Sequence, residues 1–127
     1  MIFGRIVLRS AAAGVGTLAL LWCLSGTAQA HAQLVLATPA AGATLDVAPS
    51  QIQLVLSEAL DRHFSGLELF DKDGRNIETA PVDTANPQAL AVLLKVKLPP
   101  GQYRVAWHAV ASDDGHRTQG SYTFKVR

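Results

Sequence analysis

The run Ser121 to Val126 sets Tyr122, Phe124 and Val126 on one side of the chain and Ser121, Thr123 and Lys125 on the other. A period of two buries a single face only in a β-strand, so this run predicts a half-buried strand. The same period organises Gln51 to Leu56, with Ile52, Leu54 and Leu56 opposed to Gln51, Gln53 and Val55, and it recurs in Gly66 to Phe70 and Tyr103 to Val110. Leu90 to Val96 is more continuously apolar, as in a strand buried on both faces. Turn clusters separate these runs: Thr38 to Gly42, Asp71 to Gly74, Asn86-Pro87, Pro99 to Gly101 and Asp113 to Gly115. Past residue 30 no segment keeps a 3.6-residue period with caps. Short strands at this spacing predict an all-β domain, a β-sandwich or small Greek-key β-barrel, with no internal repeat and no linker.

The first thirty residues read differently. Arg5 and Arg9 give a positive start, Ala11 to Leu24 is apolar, and Ala28-Gln29-Ala30 fits the small-residue cleavage pattern of a secretory signal. The apolar run is shorter than the roughly 20 residues a transmembrane helix needs. Trp22 stands before Cys23, where a lipid-attachment signal wants a small residue. The expectation is a signal peptide over 1–30, cleaved after Ala30, and an exported domain over 31–127 that begins with His31.

Such cleavage takes Met1, Trp22 and Cys23 away. The remaining domain has neither Cys nor Met, hence no disulfide and no sulfur ligand, although disulfides are allowed outside the cytoplasm. All 11 Lys+Arg except Arg5 and Arg9 remain, against the full 10 Asp+Glu. A balance so close to neutral argues against nucleic acid or an anionic membrane as partner. No stretch of 31–127 is long and apolar enough to be inserted stably in a bilayer.

A chain cut before His31 presents an amine and an imidazole on one residue, two donors for one metal ion. His116 lies in Asp113-Asp114-Gly115-His116, a polar turn between two strands, where Gly115 lets Asp114 and His116 fold toward a common point. An amine, two imidazoles and a carboxylate form an N,N,N,O set, the tetragonal kind that suits Cu(II) or Ni(II) rather than zinc or calcium. His108 alternates with Trp107 and belongs on the surface if Trp107 is core. His63 reads as a solvated loop residue. Glu58 ends an apolar strand, an odd place for an unpaired carboxylate, unless a surface Arg pairs with it.

These residues carry a family resemblance. His31-Ala32-Gln33-Leu34 followed by Thr38-Pro39-Ala40 and Gly42, then Leu56-Ser57-Glu58, Phe64-Ser65-Gly66, Gly101 to Trp107, Ser112 to His116 and Gly120 to Phe124 together resemble the CopC family of periplasmic copper resistance proteins, over essentially all of 31–127. The resemblance implies an immunoglobulin-like Greek-key β-barrel and one Cu(II) per chain. It implies a site made of the His31 amine and imidazole with Asp114 and His116, and makes Glu58 a candidate outer-shell or weak axial group. Asp113 falls outside the motif as a solvent-facing neighbour. Some members carry a methionine-rich loop for Cu(I); the stretch Asp71 to Asp83 has no Met, so a cuprous site is not expected, since soft ligands select Cu(I). The implied role is capture of Cu(II) in the periplasm for resistance or homeostasis, with a CopD-like inner-membrane copper transporter as partner, and no enzymatic step.

Two other functions fit parts of the pattern. A histidine-brace copper monooxygenase also uses an N-terminal histidine on a β-sandwich, but Asp114 fills a position that oxygen chemistry needs. A metal-free immunoglobulin-like interaction module fits the strands and leaves the histidines unexplained.

Overall fold

The computed structural model describes residues 32–127; the leader, its junction and His31 lie outside the described residues. Nine strands follow in order: β1 (Leu34–Thr38), β2 (Thr44–Leu45), β3 (Gln51–Leu56), β4 (Gly66–Asp71), β5 (Asn76–Ile77), β6 (Thr79–Val82), β7 (Ala89–Leu94), β8 (Gly101–Val110) and β9 (Arg117–Val126), with no helix among the described residues. They form two sheets, β1-β3-β7-β6 and β2-β9-β8-β4-β5. All pairings are antiparallel except β2 with β9. The all-β sandwich expected from the alternation is the fold.

The inward faces are those the period of two predicts. Ile52, Leu54 and Leu56 of β3 are buried, as are Tyr122, Phe124 and Val126 of β9, with Tyr103, Val105, Trp107 and Ala109 of β8 between them. Each large apolar side chain taken out of water contributes about 1.5–3 kcal/mol, so this shared interior holds the sheets face to face. The Tyr103 phenol stacks on Phe124 with centroids 5.6 Å apart and donates to the carbonyl of Pro99. That bond, from the start of a strand back across the preceding corner, is the tyrosine corner of immunoglobulin-like sandwiches.

One strand departs from expectation. Burial on both faces holds for Ala89 to Val92 and then ends: Leu93 is 46% exposed, and Val96 lies exposed beyond the strand. The outward residues of the buried half are alanines, short enough to be covered by neighbouring strands, whereas Leu93 stands on the solvent side between Gln51 and Ala80.

Strands β8 and β9 pair over ten residues each, from Gly101 with Val126 to Val110 with Arg117. The turn joining them, with Asp113 to His116, therefore projects from one end of the sandwich. The segment after β3 is drawn to the same end: Leu60 bridges Ala111, and Ser112 N donates to Ala59 O at 2.9 Å. The start of β1 completes the corner, since Ser57 N donates to Gln33 O at 2.8 Å and Gln33 N to Ser57 Oγ at 2.8 Å.

Candidate metal centre

The Asp113–His116 turn is shaped by its own backbone bonds. Gly115 has φ +71°, the left-handed region that a side chain disfavours, and its N–H donates to Ala111 O at 3.0 Å. Ala111 N in turn donates to His116 O at 2.9 Å. The tight reversal brings Asp114 and His116 together, as their spacing predicted. The His116 amide donates to Asp114 Oδ1 at 3.0 Å, and His116 Nδ1 lies 3.1 Å from Asp114 Oδ2.

The two side chains are close enough to serve one small cation together. Ligand atoms about 2.0–2.1 Å from a divalent ion and at right angles to each other lie about 2.9 Å apart, close to the observed 3.1 Å. An ion there would replace the ring contact once both side chains turned to aim their lone pairs at it. The side chains are 51% and 36% exposed, so the ion has access from solvent. The His116 N–H above all, helped by the His116 side chain and opposed by partial desolvation, holds the Asp114 carboxyl below the usual aspartate range, so it stays ionised and able to bind a cation.

Glu58 joins the turn from the other side. One carboxylate oxygen each from Glu58, Asp113 and Asp114 lie within 4.8 Å of one another. Glu58 Oε2 is inaccessible to solvent and has no hydrogen-bond partner among the described residues. A buried carboxylate oxygen without a donor is costly, and three carboxylates this close repel; a cation placed among them answers both. No Arg pairs with Glu58 among the described residues: Arg62, four positions on, donates instead to Thr84 and Asn86.

Of the residues expected at the site, Asp114, His116 and Glu58 therefore stand together, while His31 lies outside the described residues. Asp113 is solvent-facing, as expected, but its carboxylate belongs to the group with Glu58 and Asp114. Sequence reasoning missed this because the partner carboxylate is remote along the chain; a doubled Asp in a turn is the only local sign. His63 is exposed on the loop after Leu60, as a solvated loop residue should be, and His108 is exposed on β8 opposite the buried Trp107, as the alternation implied.

The CopC domain family matches residues 34–127. Protein YobA of Escherichia coli K12 is 42% identical over 77% of this chain and 80% of its own length. Copper resistance protein C of Pseudomonas syringae pv. tomato is 37% identical over 82% of this chain and 86% of its own. The crystal structure of PcoC, a methionine-rich copper resistance protein from Escherichia coli, superposes with a TM-score of 0.69 at 36% identity, covering 77% of this chain and all of that one.

Proposed function

The chain belongs to the CopC family, and from that premise we propose that it captures Cu(II) in the periplasm, one ion per chain, through the His31 amine and imidazole, Asp114 and His116. The observation that carries the reading is the Asp114–His116 pair, whose 3.1 Å ring-to-carboxylate separation suits adjacent donors of a tetragonal ion. Supporting it, the orphaned oxygen of Glu58 faces the same corner, and Ala32, to which His31 is bonded, is tied there by a 2.9 Å bond from Thr118. Cu(II) heads the divalent affinity order, and the N,O set suits it.

The role is carriage. Copper is cargo here, held oxidised and handed to an inner-membrane partner of the CopD kind. Among the described residues no helix is long and apolar enough to cross a membrane, so delivery would need such a partner. Residues 31–127 lack the Met and Cys that hold Cu(I), so the donor set suits the oxidised ion. Asp114 occupies a donor position that an oxygen co-substrate would need, which sets the reading apart from a copper monooxygenase.

Competitive Cu(II) titration of the chain beginning at His31 tests the proposal. One ion per chain, lost in His31→Ala and in His116→Ala, is the expected result, with no peroxide produced from ascorbate beyond free copper. Failure to bind, or binding indifferent to both substitutions, overturns it.

A further inference from the structure

We infer that Gln88 is a positioning residue for this site: by donating to the carbonyl of Ser57 it sets where Glu58 stands relative to Asp113 and Asp114. The inference rests on the copper-binding reading above and adds a residue from a loop that contributes no donor to the ion.

Glu58 sits in the short segment Ser57 to Leu60, between β3 and the bridge to Ala111, and that segment is held from three directions. Gln33 O takes Ser57 N at 2.8 Å, Ala59 O takes Ser112 N at 2.9 Å, and the loop before β7 supplies the rest. Pro87 O takes Leu60 N at 2.9 Å, and Gln88 Nε2 donates to Ser57 O at 3.1 Å across 31 positions of sequence. Leu56 N donates to Gln88 O at 2.9 Å, so main-chain bonds at Leu56 and Leu60 bracket the segment while the Gln88 side chain reaches the Ser57–Glu58 peptide between them.

That peptide is where the chain enters Glu58. A peptide unit is planar, so the Ser57 oxygen and the Glu58 nitrogen and Cα share one plane. Holding that oxygen fixes the plane, and with it the direction in which Glu58 leaves the main chain. The loop is itself braced: Arg62 Nη2 donates to Thr84 O at 2.6 Å, Thr84 Oγ1 at 2.8 Å and Asn86 O at 2.7 Å, and Gln88 N donates to Asn86 Oδ1 at 2.9 Å. A half-buried glutamine in a braced loop holds its one acceptor with little freedom to spare. Losing that bond removes the Gln88 hold on the Ser57 carbonyl, and the inaccessible Glu58 oxygen loses its fixed place beside the turn.

The test is Cu(II) titration of the chain beginning at His31, as unsubstituted protein, Gln88→Leu, Gln88→Lys and Glu58→Ala, and as the double variant Gln88→Leu with Glu58→Ala. Leucine keeps the bulk and removes the donor; lysine restores a donor. Gln88→Leu is expected to weaken Cu(II) binding about 3- to 10-fold, less than the 10–100-fold typical of groups touching a ligand directly, and to shift the Cu(II) EPR spectrum. Gln88→Lys recovers most of the loss. In the Glu58→Ala background Gln88→Leu has no further effect, because the two residues act through one group. Equal losses in both backgrounds, or unchanged affinity and spectrum in Gln88→Leu, overturn the positioning role while leaving copper binding intact. No binding by the unsubstituted chain overturns the copper reading and this inference with it.

Discussion

The hydroxyl of Thr118 donates to the carbonyl of Ala32 at 2.9 Å, so the first described residue is held by the strand that leaves the Asp113–His116 turn, 86 positions later. Ala32 is buried there and Gln33 is paired to Ser57. A metal site that draws one donor residue from the N-terminal side of Ala32 and others from the turn depends on this bond. Thr118→Val keeps the shape and removes the donor. The loss of about 1 kcal/mol lowers Tm by about 4–8 °C in a domain of this size, and the rise in Tm on adding Cu(II) shrinks as well. Thermal melts with and without copper check both; an unchanged copper-induced rise means the anchor does not serve the site.

Two glycines on the paired strands respond differently to the same substitution. A Cβ on Gly120 meets the Trp107 ring at 2.7–3.0 Å, and Trp107 is buried. On Gly66 it meets only the edge of the exposed His108 ring, at 3.2 Å and beyond. Overpacking a core costs about 1–3 kcal/mol, which outweighs the roughly 0.4–1 kcal/mol gained by restricting the unfolded chain. Gly120→Ala therefore lowers stability by denaturant melt, while Gly66→Ala is neutral or mildly stabilising because the His108 ring swings aside.

Burial pushes the Tyr122 phenol up to about 12, and burial followed by the nearby Asp71 charge raises Tyr103 also. Both stay protonated in the folded chain at a pH where the unfolded chain has already ionised them, near 10. Above about pH 10 the unfolded state thus binds fewer protons, so stability falls as pH rises, for Tyr122 by at most about 1.4 kcal/mol per unit up to about pH 12. Tyr122→Phe flattens that slope. It costs little at pH 7, since the Tyr122 hydroxyl is buried with no partner among the described residues. Melts at pH 8 to 11.5 distinguish the variant; equal slopes in both proteins discount Tyr122.

Alternation revealed β3, β4, β8 and β9 because each has one face on the interior, so burial itself writes the period into the sequence. It did not reveal β1, β2, β5 or β6. These are edge strands, and β1 exposes Val35 and Leu36 side by side while β6 contains Pro81, which suits only an edge. At the site, the Asp114-Gly115-His116 spacing is local and therefore legible, and Glu58 stands out as a carboxylate ending an apolar run. Asp113 and Gln88 were not legible: Asp113 approaches Glu58, and Gln88 bonds the neighbouring Ser57 carbonyl, from a turn and a loop whose polar residues look alike in sequence.

The strongest demand the reading makes is on the amine of His31. If that nitrogen holds copper, the site exists only after cleavage between Ala30 and His31, because an upstream residue turns the amine into an amide and a far weaker donor. One added Gly leaves Asp114, His116, the His31 imidazole and the anchor at Ala32 in place. Cu(II) affinity nevertheless falls by orders of magnitude, comparable to His31→Ala and more than Glu58→Ala. His63→Ala and His108→Ala, both exposed and outside the proposed donor set, are nearly silent. Acid works in the same direction, since protons compete with the metal for nitrogen donors, so affinity drops as pH falls. Competitive titration of the Gly-extended and authentic chains side by side decides it: equal affinities leave His31 as an ordinary imidazole and remove the amine from the site.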